Sequence, residues 1–487
     1  MTGPSRTEPL SFHDRLIAQL HTALNRSTPL STGRRAACWL LGGLLLLGPF
    51  VSHWHKAFHP DRPHGDWFSI FAIADYSLDT GKLEANEADP IVRTQRYPPI
   101  TRPLLMLFAV VPKAVSAVLS FALFAVLYVW SASQVSRIFF TPSPPSRSIG
   151  TALALALVLP YVWADLTAGN LTSVLLASVT GAYVLAGRGH PLRAGVVLSV
   201  GIMLKIIPVL CLLYFIVRRK WRVAWGVALG VVLLGILPSL ALFGPQKLWD
   251  YHDYWYRTQF LGYTPMNTID HPNECTYQNQ AVVRTMVRLF TDVNAGSSSK
   301  PFKITIAPLS RTALKAAYLA IMLTTGLALL WYLWRTRSET SARTNAATYA
   351  LCVGSMLWFS PWVGSYYYAL AIWPAAGLLG YLLGDAHEPR VSTRTHLWHG
   401  RPAGEDTGET PVPQVHLGTL SRTRWVRGAL VLWLLAMPAI GSHLLRAWGT
   451  HTWCAALMLV ALAAAFAPSS VTAIRPNHQE RSRPHSA

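Results

Sequence analysis

The sequence predicts an all-helical protein embedded in a membrane, on three observations. Hydrophobic residues make up 52% of the chain and charged residues 13%, about half the charged share of an ordinary soluble domain. The apolar residues gather in long runs, and runs of about eighteen or more match the hydrocarbon thickness of a bilayer. The 42 Lys and Arg, against 22 Asp and Glu, sit mainly between the runs, as cytoplasmic retention of basic residues would place them.

The apolar segments are Ala36–Trp54, Ala114–Val135, Ile149–Ala164, Leu171–Ala186, Ala194–Val217, Val223–Phe243, Thr312–Leu333, Ala346–Phe359, Tyr366–Leu383, Val426–Leu445 and Thr452–Ala467. They imply a polytopic bundle with about ten to twelve crossings. Two loops are long, 55–102 and 244–311, and short surface helices are expected in both. Residues 36–384 form the expected core. A flexible Arg-, Pro-, Gly- and Glu-rich linker (385–424) follows, then a C-terminal transmembrane hairpin (425–468) and a basic tail (469–487). Ahead of the core, residues 1–35 are polar, and no cleavable leader is expected. Phe12, Leu16, Ile17, Leu20 and Leu24 recur there at helical spacing, which fits either a short helix on the membrane surface or a plain polar tail.

The formal charge of +20 does not point to nucleic acid, because no basic stripe with interleaved aromatics exists. Membrane lipids, or a phosphate on a substrate, are the expected partners of these cations. Cys38, Cys211, Cys352 and Cys454 lie in apolar segments and Cys275 in a loop. With no CxxC pair, neither a disulfide framework nor a cysteine metal site is indicated.

Topology turns on Ala194–Val217. Both flanks are basic, Arg188 and Arg193 before it and Arg218, Arg219, Lys220 and Arg222 after it. A single crossing strands one cluster on the outer face, against the charge bias. Mid-run stand Lys205 and Pro208, and a buried charge needs a cavity or a partner while proline interrupts helical hydrogen bonding. Two short helices meeting near Lys205 satisfy both demands; one long kinked helix with a snorkelling lysine is the alternative. With the hairpin, the loops around Asp66, Cys275 and Tyr366 share the outer face and both termini are cytoplasmic.

The first outer loop holds His64-Gly65-Asp66-Trp67-Phe68, with Trp67, Ile70, Phe71, Ala74 and Leu78 at helical spacing and Gly81 where a C-cap glycine belongs. Asp66 therefore opens an amphipathic helix, a position Asp favours simply as an N-cap. Arg93, Arg96, Tyr97-Pro98-Pro99 and Arg102 follow.

These residues carry a resemblance. An outer-loop Asp heading a short helix, then Gly, then Tyr-Pro-Pro before the second span, resembles the GT-C superfamily. More narrowly, the chain resembles glycosyltransferase family 87, the polyprenol-phosphate-mannose-dependent mannosyltransferases. Gly169-Asn170-Leu171-Thr172 resembles that family's Gly-Gln-x-Asn segment. Ala194-Gly195, Lys205-Ile206-Ile207-Pro208 and Arg218-Arg219-Lys220-Trp221 resemble its Ala-Gly, Lys-x-x-Pro and Arg-Arg-Trp run. Gln278-Asn279-Gln280 with Arg284 resembles its Asn-Gln and Arg stretch. Ser360-Pro361-Trp362 with Tyr366-Tyr367-Tyr368 stands where the family shows Ser-Pro, Trp and His-His-Tyr. The likeness covers roughly Trp54 to Gly384, and it departs from the family at Asn170 and at Tyr366 and Tyr367, which replace two histidines.

The resemblance implies an inner-membrane enzyme that moves a hexose, mannose foremost, from a polyprenyl-phosphate donor to a hydroxyl of a glycan or glycolipid. Such a reaction needs a base for the acceptor hydroxyl and cations for the departing phosphate. Asp66 suits the base in one inverting displacement. Lys205, with Arg93, Arg96 or Arg102, suits the phosphate. Asn170, Gln278, Asn279, Gln280, Arg284, Tyr366 and Tyr367 are the expected sugar- or acceptor-binding residues; Trp255, Tyr256, Tyr277 and Tyr366 to Tyr368 offer aromatic surface for sugar, although an interfacial aromatic belt is the commoner reason for most such residues. No acidic cluster has metal-ligand spacing, so neither metal nor cofactor is expected. A secondary transporter, expected to show internal repeats and paired broken helices, or a lipid-linked glycan polymerase or ligase, are the rival readings.

Overall fold

A computed structural model describes residues 32–58, 66–81, 83, 97–140, 144–262, 264–272, 275–296, 300–384, 417–438 and 442–467. Among them there are helices and turns and no strand; an isolated antiparallel bridge joins Asn279 to Gly364. Residues 1–31 and most of the 385–424 linker, as well as Arg93 and Arg96, lie outside the described residues.

In chain order the helices are α1 (Thr32–Phe58), α2 (Asp66–Thr80), α3 (Arg102–Met106), α4 (Lys113–Phe139), α5 (Pro144–Ala156), α6 (Leu159–Ala168), α7 (Thr172–Gly187), α8 (Pro191–Leu204) and α9 (Val209–Val217). Next come the long helix α10 (Trp221–Phe243), α11 (Pro245–Trp255), α12 (Pro265–Asp270), α13 (Val282–Phe290), α14 (Arg311–Arg335) and α15 (Ala342–Phe359). A 3₁₀ turn (Ser365–Ala371) leads into α16 (Ile372–Gly384), and α17 (Leu417–Ala436), α18 (His443–Ala447) and α19 (Thr450–Ala465) complete the fold.

The architecture is all-helical and polytopic, as expected. Among the described residues, α4, α10, α14 and the continuous stretch Ser365–Leu383 are long and apolar enough to cross a bilayer, and α5 and α6, bent by 71° at the break between them, pass the same test only when taken as a pair. Three further apolar helices are shorter, among them α7 with 16 residues and α8 with 14, so α8 extends only roughly 21 Å at 1.5 Å per residue. Breaks account for part of the difference from a simple count of apolar runs. Ile149–Ala164 bends just ahead of Pro160. Val426–Leu445 is no single helix either, since α17 stops at Ala436 and the chain resumes helix at His443, with Pro438 between them lacking the N–H to continue. At its other end α17 reaches back to Leu417, into the expected linker.

The expected break at Lys205 is present. Lys205 caps α8 in an extended conformation (φ −151°, ψ 134°), and α9 starts after Pro208. The glycines on neighbouring helices show which way the chain runs. A Cβ on Gly195 would lie 2.1 Å from the Val223 carbonyl oxygen; one on Gly226 would lie 2.2 Å from that of Leu192. Further along, Gly230 abuts Ser199 and Gly235 abuts Met203. Residue numbers rise together on the two helices, so α8 and α10 run parallel with backbones in contact, as small residues permit between membrane helices. Two parallel neighbours require the intervening chain to return, and α9 is that return. The two basic flanks of the segment thus lie at the same end of the bundle. The end of α14 joins them there, because Arg218 donates to the Thr336 carbonyl at 2.7 Å.

The opposite end collects the candidate residues. In the antiparallel α7–α8 pair, Gly181 faces Val197 and Gly201 faces Ser178. Asn170, just before α7, therefore rises to the level of Lys205, just after α8. The first long loop contributes α2, whose buried face is Trp67, Ile70, Phe71, Ile73, Ala74 and Ser77. Leu78, expected on that face, is exposed. Gly81 ends the helix at φ +62°, its amide donating to the Ser77 carbonyl.

Candidate active site

The site grows from a turn. Helix α6 ends on Gly169, left-handed at φ +65°, with the amides of Gly169 and Asn170 both bonded to the Asp165 carbonyl. Glycine is required twice over. The φ suits no L side chain, and a Cβ would lie 2.3 Å from the Trp67 Cβ and 2.7 Å from the His53 ring. That vacancy lets the first turn of α2 press directly on the turn. His53 of α1, buried, meets Trp67 edge-on at 5.5 Å between centroids. The result is contact between two residues 104 positions apart: Asn170 donates through Nδ2 to Asp66 Oδ2 at 2.5 Å. Thr172 in turn donates its hydroxyl to Asn170 Oδ1 at 3.0 Å.

Gly169→Ala is accordingly expected to destabilise the protein by about 2 kcal/mol and to lower activity by more than that instability explains, since it pushes Asp66 off Asn170. Melting temperature and activity of the same preparation check both halves.

Asp66 is the first residue of α2 and half-buried. Near it lies Lys56, beyond the first apolar segment. Burial pulls the Lys56 ammonium below the usual lysine range, and the Asp66 carboxylate pulls it back up.

Lys205 marks the second part of the site. Its ammonium lies 3.6 Å from the centroid of the Tyr367 ring and donates to the Tyr367 hydroxyl. Tyr366 packs on Tyr367 at 4.6 Å between centroids. The 3₁₀ turn that carries both tyrosines packs against α6 and α7, the two helices flanking Asn170, which ties the two parts together. Beside Lys205 opens a cavity of about 470 Å³. Its walls are mostly apolar, including Ile206, Ile207, Leu210, Phe260 and Phe359, with Trp255 and Trp362 at the aromatic side.

The 278–284 stretch divides. Gln278 is exposed. Asn279 is buried and its Oδ1 accepts from the amides of Ala281 and Val363, both at 3.0 Å. Gln280 is also buried, donating to the carbonyls of Tyr277 and Arg446 at 2.6 and 2.8 Å. These two hold the loop to the Trp362–Gly364 segment and to α18, so of the three only Gln278 presents its side chain to solvent. Arg284 lies over the Trp362 ring at 4.8 Å, a cavity residue. Trp255 lines the cavity as well, whereas Tyr256 is exposed and stacks on Phe260, and Tyr277 and Tyr368 are buried.

Arg102 takes a different place from the one expected. It is 1% exposed and donates to the Ile73 carbonyl at 2.9 Å and to Ser77 Oγ at 2.8 Å. Burial pushes its guanidinium down to about 10, against the pull of Tyr251. It braces α2 against α3 and is turned toward the protein rather than toward a ligand.

Three contributors escaped the sequence reading. Asp165 is completely buried and receives the Tyr128 hydroxyl at 2.7 Å; as a carboxylate beside an apolar run it carried the same signal as Lys205. Arg288 is completely buried and binds the carbonyls of Thr276, Asn279 and Ala447 at 2.7 to 2.9 Å, shaping the loop that presents Gln278. Burial lowers its guanidinium to about 10. Lys56 gave no signal, because only the fold brings it near Asp66.

The sequence profile of glycosyltransferase family 87 matches residues 96–361, while no curated protein and no solved structure matches the chain. The matched stretch is more than half of the chain and holds Asn170, Lys205, the 278–284 loop and the cavity walls other than Trp362, with Asp66 ahead of it and Trp362, Tyr366 and Tyr367 just after it. A bundle of membrane-length helices, with polar and aromatic side chains gathered at one end over an apolar cavity, accords with that match: the chain belongs to glycosyltransferase family 87.

Proposed function

We propose that the protein transfers a hexose, mannose first among them, from a polyprenyl-phosphate donor to a hydroxyl of a glycan or glycolipid. The observation that carries the proposal is the pairing of a held carboxylate, Asp66 on Asn170, with a cation at the mouth of an apolar cavity, Lys205, at one end of the bundle. Asp66 takes the proton of the acceptor hydroxyl as that oxygen attacks the anomeric carbon. The bond from carbon to the phosphate oxygen breaks on the opposite face, inverting the centre. Lys205 receives the negative charge on the departing polyprenyl phosphate, and the apolar cavity takes the first isoprene units.

The reactive end is assigned to the extracytoplasmic face of the plasma membrane. The basis is charge: Arg188, Arg193, Arg218 to Arg222, Arg335 and Arg337 crowd the other end, where the positive-inside bias puts the cytoplasm. Both termini belong to that cytoplasmic end on this reading, and the GT-C type of bundle fits it.

Purified protein in lipid nanodiscs, given polyprenyl-phosphate [¹⁴C]mannose and a glycolipid extract, is expected to move label to the acceptor and release polyprenyl phosphate. A transporter leaves the donor intact, and a donor that stays intact with every acceptor fraction overturns the proposal. Label transferred from a glucose donor in preference to mannose corrects the sugar alone.

A further inference from the structure

We propose that Thr172, behind Asn170, is a positioning residue that fixes which way the Asn170 amide points and thereby holds the base; the inference rests on the reading of Asp66 as that base. An ionised carboxylate only accepts hydrogen bonds, so Asn170 must turn Nδ2 toward Asp66, as it does. Its Oδ1 then points away and needs a donor. Thr172, completely buried, supplies it at 3.0 Å.

A hydroxyl has one proton to give. Were it given elsewhere, Asn170 would lose its anchor, and a flipped amide would set Oδ1 against the carboxylate of Asp66. The competitor is close at hand, because the Asp165 carboxylate faces the hydroxyl of Thr172 and the amide of Ser173. Tyr128 meets half of that demand, donating to Asp165 Oδ2 at 2.7 Å, while the buried Oδ1 makes no hydrogen bond. The Thr172 hydroxyl nevertheless goes to Asn170 rather than to that oxygen. The hydrogen-bonded chain runs from Thr172 on α7 through Asn170 to Asp66 on α2, and Thr172 touches no reacting atom.

The test is a pair of substitutions that separate hydroxyl from bulk. Thr172→Val keeps the shape and removes the proton; Thr172→Ser keeps the proton and removes a methyl. The relay predicts that Val lowers kcat about tenfold or more, with donor KM within about twofold of wild type, because the donor phosphate binds at Lys205. Ser restores most of the rate. A packing role predicts the reverse order, and either that order or a wild-type kcat in Val overturns the proposal. A second measurement does not depend on turnover: labelling of Asp66 by a water-soluble carbodiimide, read by peptide mass spectrometry, should rise in Val and not in Ser. Equal labelling in all three proteins overturns the relay. Failure of the base reading shows separately, as full activity in Asp66→Asn.

Discussion

Asp66→Asn is expected to abolish most sugar transfer, lowering kcat by about two to four decades, the usual contribution of a positioned general base. The substitution leaves nearly everything else in place. Asparagine is as good an N-cap as aspartate, so α2 keeps its start and Trp67 its packing on Gly169 and His53. An amide cannot take a proton from a sugar hydroxyl at neutral pH. The variant therefore separates a cap from a base, which position alone does not. Its melting temperature should stay within a few degrees of wild type, and donor binding at Lys205 should persist. Transfer at a near-normal rate would reduce Asp66 to a helix cap.

Lys205→Ala is expected to weaken donor binding about tenfold to a hundredfold, the range of a charge-assisted hydrogen bond to phosphate. Lys205→Arg should recover part of the loss, since it keeps the charge but replaces a compact ammonium with a planar fork. Tyr367 makes the experiment sharper. In the structure the ammonium rests on that ring and hydroxyl, so a lysine serving only to pin Tyr367 would lower the melting temperature with or without donor. Measuring donor affinity beside melting temperature in both variants decides. Unchanged affinity in well-folded Lys205→Ala would remove the lysine from the phosphate.

The sequence disclosed residues that violate the rules of their surroundings. Lys205 and Pro208 in an apolar run announced a break, and the basic flanks announced that the chain turns back there; the parallel α8 and α10 agree with both. Asp66 at the head of an amphipathic turn was visible for the same reason. What stayed hidden depended on partners far away in sequence. Asp165 abuts an apolar run as Lys205 interrupts one, yet nothing local reveals that Tyr128 and Thr172 surround it. Arg102 read as a phosphate ligand because it stands among cations, and only the fold shows its guanidinium turned inward to Ile73 and Ser77. Asn279 and Gln280 looked like sugar-binding amides; as built, they hold backbone. Amide side chains satisfy loops and ligands with the same groups, so their type does not tell the two uses apart. The broken helices were legible only where a proline or a charge marked them.

The return of the chain at Lys205 has a consequence for how the protein is inserted. Residues 191–217 enter the bundle and leave it on the same side, so they add helix without changing the orientation of anything downstream. Were Lys205 and Pro208 replaced by apolar helix formers, the same stretch would become one uninterrupted run long enough to pass straight through. Every later loop would then face the wrong compartment, or be forced against its own arginines. The break thus sets the direction of all the chain that follows it. Loss of function from changes there can arise from an inverted second half of the molecule, a fault of direction that no purified, correctly inserted sample would reveal.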